Sequence, residues 1–170
     1  MLRNTAIVEG VTMAFDSVLD ILLRLLAATV VGGLIGLNRE FRHKSAGLRT
    51  HSLVALGAAV VTVLVVQSVD GTGIVHFDAI SRVIQGIITG IGFLGAGVIL
   101  RNDNSQVIHG LTTAASIWLA ACLGTACGAG AWMITAGAFI LVMLVLIVGG
   151  SIESWILKRF RQDPDDQARR

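Results

Sequence analysis

The sequence predicts an all-α, polytopic membrane protein of about five transmembrane helices, and three observations predict it. Apolar residues make up 54% of the 170, charged residues only 14%, and mean hydropathy is +0.79; a soluble domain averages about 25% charged. The apolar residues gather in five runs, at about residues 18–37, 52–69, 83–100, 111–128 and 131–157. Each run is close to the length that crosses a bilayer as helix, about 20 residues. There are 20 Gly against one Pro, a composition suited to helices that pack closely in lipid, because small residues let backbones approach. No linker-like stretch divides the runs. The chain therefore reads as one transmembrane domain, 18–157, between an N-terminal extracytoplasmic segment, 1–17, and a disordered cytosolic tail, 158–170.

The N-terminal segment reads as a loose or surface-lying amphipathic start. It does not read as a signal peptide, since Glu9 and Asp16 precede the first apolar run, and Asp20 lies at its start, in place of a basic region. The first span carries Arg24 about one turn inside its outer end. A charge at that depth is costly, and Asp20, four residues earlier, lies on the same helix face to pair with it. Gln85 on the third span is a second candidate partner. Arg24 is read either as part of a polar site near the outer surface or as a side chain that snorkels to the interface.

The loop after the first span holds Arg39, Arg42, Lys44 and Arg49 against Glu40 alone, and the tail is rich in Lys and Arg, whereas residues 70–81 have neither. The positive-inside rule places the basic segments in the cytosol, giving an N-out, C-in topology. A nucleic-acid interface is excluded, because the basic runs adjoin apolar spans and lack interleaved aromatics. Arg39, Glu40 and Arg49 surround the first cytosolic hairpin. They suit a partner, a phosphate or an anionic lipid, and equally topology control and loop anchoring.

The first and second spans recur in the third and fourth. Arg24, Ala28 and Gly32 are spaced as Arg82, Gly86 and Gly90, and Gly47-Leu48-Arg49-Thr50 matches Gly110-Leu111-Thr112-Thr113. Both copies run from outside to inside and back, so two pseudo-repeated hairpins about an axis along the membrane normal are expected. Gly86, Gly90, Gly92, Gly95 and Gly97 cover several sides of the third span, which predicts that it lies centrally. The fifth is apolar all round and is placed at the lipid-facing edge, flanked by Trp132 and Trp155. Thr112 and Thr113 open the fourth span as helix caps, with a ligand role second.

Gly90-Ile91-Gly92-Phe93-Leu94-Gly95 fits the dinucleotide fingerprint but sits inside an apolar run, without the strand that the fingerprint requires. Cys122 and Cys127 are five residues apart, about 140° around a helix, and read as small apolar residues of a membrane interior. No nucleophile–base set or metal-ligand cluster appears, so no enzyme activity, cofactor or metal is expected. No span has a carboxylate near its centre. Thr29, Thr62, Gln85, Thr89, Ser116, Thr125 and Thr135 are the interior polar groups, suited to helix–helix hydrogen bonds rather than to a dehydrated Mg²⁺.

Three ordered motifs carry a family resemblance. Gly36-Leu37-Asn38-Arg39-Glu40 with Ala46-Gly47-Leu48-Arg49-Thr50-His51, then Gly90 through Ile99, then Gly110 through Trp118, resemble the signatures of the MgtC/SapB membrane proteins, over about residues 20–150. The resemblance implies a bacterial inner-membrane protein associated with adaptation to low magnesium and, in pathogens, with survival in host cells. It implies a regulator of other membrane machinery more than a transporter. Asn38 replaces a common Glu, and Thr112 and Leu119 stand where the virulence-linked branch tends to carry Asn and Cys. That branch often adds a soluble C-terminal domain, so the short form is expected here. The expected partners are the bilayer and either another membrane protein or a second copy, through the glycine faces. A transporter or pore for Mg²⁺, an anion or a small polar solute is the alternative.

Overall fold

A computed structural model describes residues 2–67, 77–101 and 108–160, with side-chain surroundings for 17–67, 78–99, 109–150 and 152. It contains α1 (Leu2–Phe41), α2 (Leu48–Gln67), α3 (Phe77–Val98), α4 (Leu111–Gly128) and α5 (Trp132–Phe160). Two-residue strands β1 (Leu100–Arg101) and β2 (Ile108–His109) pair antiparallel between α3 and α4. Within each of the five helices lies a stretch long and apolar enough to cross a membrane. The N-terminal segment continues α1 as helix from Leu2, and α5 carries helix past residue 158. The predicted disordered tail beyond 160 and the loop 68–76 lie outside the described residues.

The core is α1, α2 and α4, each packed on the other two. Its seam is a ridge of small residues on α2. A Cβ on Gly32 of α1 would sit 2.7 Å from the Ala55 Cβ, and one on Gly36 would lie 2.7 Å from the Leu48 Cα. From the other side, a Cβ on Gly124 of α4 would run into the Ala55 backbone, and one on Gly128 would lie 2.7 Å from the Ala59 carbonyl oxygen. Backbone thus meets backbone on both sides of α2, which is how dispersion holds helices together where water exclusion gives no drive. Ala28, Ala59 and Cys127 fill one end of this core. Ile35 and Leu123 pack with Val142 of α5 elsewhere in it.

The third span is not central. α3 touches α4 and, more loosely, α2. A Cβ added at Gly86, Gly90, Gly92 or Gly97 would meet nothing within 4 Å, and one at Gly95 meets only the Ala114 Cβ at 3.6 Å. The central place belongs to α2 and α4, whose small residues are Ala as well as Gly. α5 is peripheral, as expected, resting on α4 and lightly on α1. The two hairpins are present but unequally packed: α1 is locked onto α2 and α4, whereas its counterpart α3 rests beside the same pair.

Most interior hydroxyls do not join helices. Thr29, Thr62, Thr89, Thr125 and Thr135 each donate to the carbonyl four residues earlier in their own chain, at 2.7–3.0 Å. Such a back-bond satisfies the hydroxyl locally, so helix contacts are left to small-residue packing. Of that group, Ser116 does join helices, with His51, and Thr135 also meets the Cys127 thiol across α4 and α5. Ser52 adds another by donating to the Thr29 carbonyl at 3.3 Å. Cys122 and Cys127 are both free thiols.

Candidate functional site: two polar ends of the three-helix core

The α1–α2 loop and the start of α4 share one end of the core; Arg24 and the α4–α5 turn share the other. At the second end, Arg24 Nη1 donates to the Gly128 carbonyl at 3.0 Å, and its Nε lies 2.7 Å from Asp20 Oδ2. The latter is an ion pair rather than an aligned hydrogen bond, since Nε meets no hydrogen-bond geometry. Gly130 has φ 72, and a Cβ there would lie 3.0 Å from the guanidinium. A cation on the last carbonyls of a helix satisfies orphan acceptors and complements the dipole. Arg24 is therefore an inter-helix cap on α4. Gln85 is not its partner: its amide lies 3.4 Å from the Ser81 hydroxyl on its own helix. Arg82, the counterpart of Arg24 in the repeat, is exposed.

The first end carries the motif residues, and it separates their roles. Arg39, near the end of α1, is 3% exposed and donates through Nη2 to Thr113 Oγ1 at 2.7 Å. Glu40, its neighbour, faces the other way and accepts the Leu48 N–H at 3.0 Å. That carboxylate caps the first turn of α2 and closes the hairpin. The turn between has His43 at φ 52. Arg49 and Thr50 are exposed, and with Glu40, Lys44 and Ser45 they border a shallow depression.

Inside this end, His51 and Ser116 are wholly buried. His51 Nδ1 is 2.9 Å from the Gly47 carbonyl, and Nε2 is 3.0 Å from Ser116 Oγ. A carbonyl only accepts, so Nδ1 carries the proton. The Ser116 hydroxyl donates to the Thr113 carbonyl at 2.8 Å, and His51 Nε2 meets the same hydroxyl oxygen. Because Arg39 holds the Thr113 side chain, one polar chain runs from α1 through α4 to α2. Ser beside His is a nucleophile–base pairing in chemical type, but both are 0–1% exposed, and the chain of contacts they belong to joins three helices. In the sequence His51 closes one family motif and Ser116 is one of the interior polar groups. The signal that links them is Thr113-x-x-Ser116, which faces both side chains to one side of α4.

The helix order brings Arg39 and Thr113 together; Gly90, Gly92, Gly95 and Gly97 lie on α3, where Gly95 approaches Ala114 beside Thr113. Thr112 and Trp118 are exposed on α4. Gly110 has φ 92, and a Cβ there would strike the Val98 carbonyl, so the β2–α4 turn needs glycine at this position. The dinucleotide-like run lies within α3, with no strand leading into it. Among the described residues no group of three His, Cys, Asp or Glu side chains is placed to hold a metal.

Comparison with known proteins agrees with these motifs. The MgtC family model matches residues 25–155. The chain is 41% identical over 122 residues to protein SrpB of Synechococcus elongatus, covering 68% of this chain and 67% of that one. It is 39% identical over 153 residues to protein SapB of Bacillus subtilis, covering 85% and 61%. It is 41% identical over 127 residues to protein MgtC of Salmonella typhimurium, covering 75% and 51%. The matched part thus spans about half to two thirds of these relatives. No solved structure matches. A five-helix membrane core with these motifs and these relatives makes the chain a member of the MgtC family.

Proposed function

We propose that this protein is a non-enzymatic regulator in the bacterial inner membrane. It would act in adaptation to low magnesium or a related stress, by binding a transmembrane helix of another membrane protein in the groove between α2 and α3. One observation carries the reading: a Cβ on Gly86, Gly90, Gly92 or Gly97 of α3 would meet nothing within 4 Å. The groove, about 470 Å³, is lined by Gly57, Ala58 and Val61 on α2 and by Gly86, Gly90 and Leu94 on α3. Gly86 and Gly90 are one turn apart on one face, the small-x-x-x-small spacing that admits a helix backbone. A lipid chain needs no glycine to lie against a helix, and each Gly weakens a helix by about 1 kcal/mol relative to Ala, so a helix is the occupant such residues suit. The name MgtC of a relative supports the magnesium setting, and the bacterial relatives support the inner membrane.

A photo-crosslinker at Leu94, whose side chain lines the groove, tests this in native membranes. The expected product joins Leu94 to a transmembrane segment of a different protein, and Gly90→Leu abolishes it. Crosslinks only to a second copy, or capture that Gly90→Leu leaves intact, would sink the reading. Transport is the competing class. The small-residue seam of α1, α2 and α4 argues against a path through that core, and solute flux by the purified protein in liposomes would revive it.

A further inference from the structure

We infer that the end of the core holding Arg39 contains a binding site for a phosphate group, of a phospholipid or of free inorganic phosphate. This does not rest on the regulatory reading. A cavity of about 600 Å³ lies between α1, α4 and α5, lined by Arg39, Arg42, Lys44, Thr112, Val145, Leu146, Gly149 and Gly150. Among the described residues its lining has three cationic side chains and no carboxylate.

Basic residues at a helix end ordinarily set topology, and water solvates them. Arg39 differs on two counts. It is 97% removed from solvent, and its Nε is buried with no hydrogen-bond partner among the described residues. Its observed partner, Thr113 Oγ1, is neutral. The nearby carboxylate, Glu40, is turned to the α2 N-terminus. A buried cation left without a counter-charge is strongly unfavourable, and the cavity it lines is where an anion would supply one.

The rest of the lining fits that anion. Arg42 Nη2 donates to the Ile147 carbonyl at 3.1 Å, and its Nη1 lies so close to Gly150 that a Cβ there would strike it. Arg42 is thereby held along α5 rather than swinging free. α4 begins beside Thr112 with no side chain capping its N-terminus, so its first N–H groups add to the positive field. A tetrahedral phosphate presents several acceptor oxygens to such a set, and guanidinium forks bind it bidentately. Val145 and Leu146 continue the wall as apolar surface, which suits a phospholipid with its chains along α5.

The test uses the full chain purified in neutral detergent. It is offered phosphatidylglycerol against phosphatidylcholine, and retained lipid is counted by native mass spectrometry. A second arm titrates inorganic phosphate and reads the unfolding temperature. The lipid source predicts selective retention of phosphatidylglycerol, reduced about tenfold or more in the Arg42→Gln/Lys44→Gln double variant, a loss of charge-assisted bonds. Arg39→Lys, which keeps the charge but not the fork, should also weaken it, and Arg49→Gln should not. The free-anion source predicts that phosphate raises the unfolding temperature of the parent but not of the double variant, with no lipid preference. No response to either ligand overturns the inference. So does an equal loss in Arg49→Gln, which would mean diffuse surface charge. The double variant keeps Arg39, so its unfolding curve separates lost binding from lost fold.

Discussion

Gly124 and Gly90 have the same side chain in the same kind of apolar helix, yet their surroundings give them opposite roles. A Cβ on Gly124 would enter the Ala55 backbone; one on Gly90 would touch nothing. Gly124→Ala should therefore destabilise the chain in detergent by about 2 kcal/mol, in the range of overpacking. Gly90→Ala should leave stability unchanged or raise it by up to about 1 kcal/mol, the helix-propensity gain. Chemical or thermal unfolding of the two variants checks the contrast, and equal effects would mean that α3 is packed as tightly as α4. The residue types at both sites were legible in sequence, but which glycine had a neighbour was not. A stripe of small residues records that something approaches without naming it. The same holds for Arg24, whose cost in the membrane was evident while its acceptor, the Gly128 carbonyl 104 residues away, was not.

At the scale of elements, the α1–α2 hairpin is closed by one carboxylate across a short turn. Glu40 accepts the Leu48 N–H, and Gly47 is close enough that a Cβ would stand 2.6 Å from the same carboxylate oxygen. Glu40→Ala should cost about 1 kcal/mol, the usual loss for an N-terminal cap. Glu40→Gln, which keeps an acceptor oxygen, should cost less. Unfolding in detergent measures both, and an alanine variant as stable as the parent would remove the capping role. Loop anchoring was one of two readings that the sequence left open for Arg39, Glu40 and Arg49, and geometry divides them. Glu40 anchors the loop, Arg39 turns inward to α4, and Arg49 remains exposed. Adjacent helical residues point about 100° apart, so a contiguous charged motif cannot act as one unit.

At the scale of the whole molecule, successive spans alternate ends, which puts the Arg42–Gly47 turn and the start of α3 at opposite faces. From the charge distribution the turn is expected in the cytosol. In a background without Cys122 and Cys127, Asp78→Cys should react with a membrane-impermeant maleimide in intact cells. Lys44→Cys should react only after the membrane is opened. Reaction of both from the same side would reverse or break the topology. The packing also separates a tight unit, α1 with α2 and α4, from two elements held lightly at its edge. The looser pair, α3 and α5, bear the large exposed apolar side chains Phe93 and Met133, at 81% and 90%, and face lipid or a partner.

Sequence alone determined the solvent, the number of spans and, to within a few residues, most of their boundaries. These follow from local quantities: the length, spacing and apolar content of each run. Tertiary structure decided which helix is central, which acceptor each buried arginine finds, and that Arg39, Arg42 and Lys44 line one cavity. Those facts depend on contacts between residues about a hundred positions apart. In a bilayer every span is apolar, so hydrophobic periodicity, which in water would mark the inward face, loses most of its power to say which side of a helix is inside.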